Sequence, residues 1–228
     1  MRRSFFCVLT LALLGAPAVA QAAPKAPPKA CGLVRDPSGD TYSPVSDQGL
    51  DTQLDITSAD IATDKKNVTV VLRLAALTAS DPANPQGRIY EFDFTAAEKN
   101  FIVLGSLLPG GNDFTVFISG SRLEEGKSGA RAATGIGSAT GVVDVAAKEV
   151  RMTAPLSVFA PYADLHSGTS YYLAAFTYRA NGMSAQPTSE QVPLQVQVTG
   201  SFGIGVDEAW GRKAYYRNGG PSCVRVGK

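Results

Sequence analysis

Residues 67–77, NVTVVLRLAAL, decide the fold class. Val68, Val70, Leu72 and Leu74 fall on one side of an extended chain, and Thr69, Val71 and Arg73 fall on the other. This is the period-two alternation of a strand with one face turned to a core. Directly before it, Asp64-Lys65-Lys66-Asn67 has the polar composition of a turn. Residues 54–61, LDITSADI, supply a strand to pair with it across that turn. The pattern continues downstream. In 89–94, IYEFDF, the rings of Tyr90, Phe92 and Phe94 share one side. Stretches 100–107, 113–119, 141–145 and 150–154 follow at hairpin spacings. Residues 170–179, SYYLAAFTYR, are almost continuously apolar and are expected at the centre of a sheet, and 193–199 alternates Leu194, Val196 and Val198.

Helical periodicity is confined to a turn near 155–162, and the Gly/Ala/Ser-rich stretch 123–141 is predicted to be a hairpin loop. The 23 glycines and 14 prolines punctuate the strand runs. Many short strands separated by such turns predict an all-β, antiparallel β-sandwich, jelly-roll or immunoglobulin-like, in a single domain.

The N-terminus has the composition of a signal peptide, assigned to 1–23. Arg2 and Arg3 supply positive charge, and 4–15 is an apolar run too short to span a bilayer. Cleavage is expected after Ala20, Ala22 or Ala23, which removes Cys7. Residues 24–30 are a spacer rich in Pro, Lys and Ala, where proline precludes a helix. The sandwich is assigned to 31–228, long enough for a substantial core.

Cys31 and Cys223 are the only cysteines left after cleavage, and a disulfide between them is expected in a secreted, extracellular protein. The 21 basic and 20 acidic side chains nearly cancel. That balance argues against nucleic acid or an anionic membrane held by bulk charge.

Several segments together carry a resemblance: 31–40 (CGLVRDPSGD), 54–61, the strand from Val68, 139–144 (ATGVVD), 149–152 (EVRM) and the closing 221–224 (PSCV). They are similar, over essentially the whole mature chain, to a family of exported actinobacterial proteins of mostly unassigned function. The opening third also resembles the β-sandwich modules related to family 9 carbohydrate-binding modules and DOMON domains, through Asp-x-x-x-Asp followed by Leu-Asp-Ile. That resemblance implies a sandwich and a calcium or sugar ligand.

Asp36, Asp40, Asp51 and Asp55 form the candidate metal site. Calcium takes six to eight oxygen ligands, which loop carboxylates and neighbouring carbonyls supply. The competing reading is turn chemistry, since aspartate also caps loops. Trp210, Tyr215 and Tyr216 form the candidate ligand surface, because aromatic rings stack on the apolar faces of sugars; core packing is the alternative.

Catalytic signatures fail on inspection. His166, the only histidine, stands beside Asp164 and Ser167, too close in sequence for a triad. Neither 121–128 nor 135–141 satisfies a phosphate-loop or dinucleotide pattern. The expected function is therefore that of a secreted non-catalytic module, not an enzyme. Its expected partner is a glycan or the cell envelope, with calcium as candidate cofactor and no transmembrane anchor after cleavage. The alternative is a structural or protein-interaction module meeting another exported protein.

Overall fold

A computed structural model describes residues 31–41, 51–79, 85–119, 133–165, 170–181, 195–198, 201–211 and 214–215. The first strands in chain order are β1 (Val34–Arg35), β2 (Ile56–Thr63), β3 (Asn67–Leu74), β4 (Arg88–Ala96), β5 (Lys99–Leu108) and β6 (Gly111–Ser119). They are followed by β7 (Ala133–Ser138), β8 (Thr140–Asp144), β9 (Glu149–Pro155), the one-turn helix α1 (Leu156–Phe159) and β10 (Ser170–Asn181). The last are β11 (Gln195–Val198), β12 (Ser201–Trp210) and β13 (Ala214–Tyr215).

Alternation in β3 behaves as its sequence demands. Val68, Val70, Leu72 and Leu74 are buried in the main core, while Arg73 faces away from it. The turn before β3 is closed by Asp64, whose carboxylate accepts the Lys66 and Asn67 amides at 2.7 and 2.8 Å. Across it, β2 pairs antiparallel with β3, and β9 takes the other side of β3. The smaller sheet thus runs β1-β2-β3-β9-β8. The larger runs β11-β12-β10-β4-β5-β6-β7, with β13 attached to β10.

The two sheets form an antiparallel β-sandwich, with a main core drawn from both. Tyr90, Phe92 and Phe94 of β4 enter it together, and Phe94, Phe101 and Phe159 pack with ring centroids 5.3–5.7 Å apart. Near-continuous apolarity in β10 has the expected meaning. It lies inside the larger sheet between β12 and β4, and it feeds both faces. Leu173 and Ala175 join the main core, whereas Ala174, Phe176 and Tyr178 belong to a second apolar cluster on the outer face.

Two expectations are corrected. The stretch predicted as a loop, 123–141, contains β7 and the start of β8. Ala139 alone separates these strands, so the chain leaves the edge of one sheet and enters the edge of the other. Small residues make that corner passable. A Cβ on Gly141 would lie about 2.0 Å from the Phe114 ring, so only glycine fits there. The second correction concerns the end of the chain: the strand pattern read from the sequence stops at 199, whereas β12 follows it and ends on Trp210, which pairs with Ala174 of β10.

Candidate functional site

Among the described residues, two groups of side chains are candidates for chemistry beyond packing. The first lies where β1 and the approach to β2 meet β12. Val34 bridges to Gly211, so the beginning and the end of the fold adjoin here. Asp36 follows β1, Asp40 lies in the next loop and Asp55 immediately precedes β2. Asp207 arrives from β12. A register shift opposite Thr177 and Tyr178 leaves Val206 as an extra residue. Val206 and Ala209 both enter the main core, whereas strict alternation would set residues three apart on opposite faces. The bulge thus carries Asp207 to the smaller sheet, where its Oδ2 accepts the Ile56 amide at 2.7 Å.

Carboxylate oxygens of Asp36, Asp40 and Asp207 lie within 4.8 Å of one another. Asp55 backs this group. Its Oδ2 accepts the Gly39 amide at 2.8 Å, while its Oδ1 is buried without a hydrogen-bond partner. Asp36 Oδ2 and Thr41 Oγ1 are likewise buried and unpartnered. Removal from water, and then the charge of Asp40, pushes Asp36 up to about 6. Asp207 is pushed up to about 7, chiefly by burial, against the opposing pull of the Ile56 amide and with help from Asp36 and Asp40. Burial also raises Asp55, against the Gly39 amide and with the charge of Asp40 adding to the rise.

Of the four aspartates expected to share a metal, Asp36 and Asp40 are brought together, and Asp55 lies close enough for its charge to act on Asp36. Asp51 is engaged elsewhere: its Oδ2 pairs with Arg179 at 3.1 Å and its Oδ1 accepts the Gln53 amide. Asp207 takes its place in the group. Sequence spacing gave no sign of Asp207, because the contact spans 151 residues between Ile56 and Asp207.

The second group is aromatic and lies on the outer face of the larger sheet. Trp210 and Tyr172 are partly exposed there, packed against the cluster containing Phe176. Ala174, directly opposite Trp210, leaves room for the indole to lie across β10. The indole meets Phe176 edge-on, with centroids 5.6 Å apart and planes at 89°. Exposed Glu208 precedes Trp210 by two positions and shares its side of the strand. Below, Tyr178 donates to Glu91 Oε2 at 3.0 Å. The backbone of Tyr215, in β13, pairs with Ser170 at the start of β10. Tyr216, His166, Cys223 and the segment 1–30 lie outside the described residues.

Comparison with models of protein families, with curated proteins and with solved structures finds no match to this chain.

Proposed function

We propose that this chain is an exported, non-catalytic β-sandwich module that binds a glycan, free or within the cell envelope, on the outer face of its larger sheet. The observation that carries this reading is that two partly exposed rings, Trp210 and Tyr172, pack against the same outer-face cluster, where the indole meets Phe176. Partly exposed rings with a carboxylate on the same side of the strand suit a pyranose. The apolar sugar face stacks on the rings, and Glu208 accepts from a hydroxyl. The positively charged, apolar N-terminus supports export.

Sedimentation with insoluble polysaccharides and isolated cell wall tests the reading. Retention by at least one polysaccharide is expected, together with its loss in Trp210→Ala and in Tyr172→Ala while the melting temperature shows both variants folded. Retention equal to wild type in both variants removes the two rings from the account.

A second reading, as a protein-interaction module, is favoured by one feature. Strand β8 ends the smaller sheet, and Val142 on it is 57 % exposed. Among the described residues no strand lies beyond β8, and such an edge with an apolar side chain can pair with another strand. Binding to an exported protein that Val142→Lys abolishes, with no retention on any polysaccharide, would favour this second reading.

A further inference from the structure

We propose that Asp36, Asp40 and Asp207, backed by Asp55, form a site for a divalent cation of the calcium class, held between the two sheets at the end where β1 meets β12. Asp36 and Asp207 share a side-chain hydrogen bond, which needs a proton between them. Once both are ionised, carboxylates this concentrated repel one another unless a cation takes the proton's place. Their mutual spacing suits one ion: donor oxygens of three of them lie within 4.8 Å of one another, so each can reach a common centre at a calcium–oxygen bond length.

The independent sign is the state of the buried oxygens. Asp55 is 1 % exposed, yet its Oδ1 has no hydrogen-bond partner. Its other oxygen is fixed by the Gly39 amide, next to Asp40, and its charge acts on Asp36. The unpartnered oxygen is thereby held beside the group. Asp36 Oδ2 is buried in the same condition, and so is Thr41 Oγ1, one residue beyond Asp40. Leaving a charged oxygen buried and unsatisfied is costly, so native structures rarely retain one without a reason. A cation satisfies the carboxylates at once, and the Thr41 hydroxyl is a further oxygen at hand.

The donor set names the ion class. All the side-chain donors are oxygen, with neither histidine nor cysteine among the grouped residues, which disfavours zinc and copper. Several carboxylates on loops around one point favour calcium over magnesium, which keeps most of its waters and demands strict octahedral geometry. Such an ion joins the loop after β1 to the bulge of β12, and so ties sheet to sheet.

The test is thermal unfolding of the mature protein at pH 7.5 in excess calcium, in excess magnesium and in chelator, with calorimetric titration of calcium into the chelator-treated protein. Calcium at about a hundredfold above its dissociation constant is expected to raise the melting temperature by about 5–10 °C, and magnesium to raise it less. Asp207→Asn and Asp36→Asn are each expected to abolish the calcium-dependent rise. Asp51→Asn is expected to keep it, whatever that variant loses through Arg179. Identical melting curves in calcium and chelator with no calorimetric binding overturn the proposal, as does a rise that survives in both Asp207→Asn and Asp36→Asn. If one of these variants does not fold, the other and the titration of the wild-type protein still decide.

Discussion

Asp207 shows how one residue acquires its chemistry from the fold and not from its neighbours in sequence. In Val206-Asp207-Glu208 it is an ordinary strand-end acid, but the bulge of β12 carries it toward Ile56 and the carboxyl of Asp36. Burial acts most strongly on both carboxyls. The charge of Asp40 adds to it, joined by Asp55 and Glu208 at Asp36 and by Asp36 at Asp207. A side-chain hydrogen bond with Asp207 opposes the rise at Asp36, and the Ile56 amide opposes it at Asp207. Both carboxyls are therefore raised, to about 6 and about 7, from an ordinary value of 3.8. The sign of the consequence follows from linkage. Between the unfolded and folded values, the folded state binds more protons than the unfolded one, so these groups cost stability increasingly as pH rises. In chelator, Asp207→Asn should therefore gain stability relative to wild type between pH 5 and pH 7.5, and the gap should level off above the folded value. Melting temperatures of the two proteins across that range check this. A gap that stays constant would mean that Asp207 is ionised throughout. With calcium present the sign reverses, because the wild-type carboxylates then have a cation to hold.

Among the elements, legibility tracked how strictly a strand alternates. β3 and β4 were visible because one face of each enters the core without interruption, and β10 because both of its faces are covered. β7 and β12 were not, because Gly135 and Gly137 in the first, and Gly203 and Gly205 in the second, look like turn residues in sequence. The glycines of β7 answer to neighbours on other elements. A Cβ on Gly137 would lie 2.8 Å from the Val158 side chain of α1. The same holds at the candidate site: Asp51 and Asp36 are alike in sequence, and only Arg179, 128 residues away, separates their roles. Close approach at the β7–β8 corner yields a prediction at this scale. Gly141→Ala should destabilise by about 1–3 kcal/mol, since the Phe114 ring must move from its place against β8. Urea unfolding measures it, and an unchanged midpoint would mean that the ring has room to shift. Arg73 makes the complementary case on the outer face of the smaller sheet. It bonds Asp60 at 2.6 Å and Glu149 at 2.8 Å, and links β2 to β9 across β3. Asp60 is fully buried and also accepts the Cys31 and Leu33 amides. Arg73→Met leaves the buried Asp60 with its two amides but no counter-charge, while Glu149 keeps Arg151, and should cost about 3 kcal/mol by the same measurement.

At the scale of the whole molecule, the sandwich is closed by its ends. The first described residues lie on β2 through Asp60, with the Cys31 amide 3.0 Å from Oδ2 and the Leu33 amide 2.9 Å from Oδ1. The end of β12 comes to the same place, where Val34 bridges to Gly211 and the Gly211 amide donates to Leu173 at 2.8 Å. Cys223 lies outside the described residues, beyond β13, which pairs with the start of β10. The disulfide expected from the sequence would tie the chain before β1 to the chain beyond β12, at the end of the sandwich where the cation is proposed. Cross-linking residues so far apart restricts the unfolded chain strongly. The chain-entropy estimate is about 5 kcal/mol, and native strain or residual structure in the unfolded chain reduces it. Thiol labelling of the denatured, unreduced secreted protein should find no free thiol, and two after reduction. Reduction, and separately Cys31→Ser, should lower the urea midpoint by a similar amount. Because both ties hold one seam, their contributions should be coupled: chelator should cost more in the reduced protein than in the oxidised one, as expected for interactions that share an element. Two reactive thiols before reduction would remove the covalent tie. Equal chelator effects in the two redox states would show that the ion and the disulfide act on separate parts of the fold.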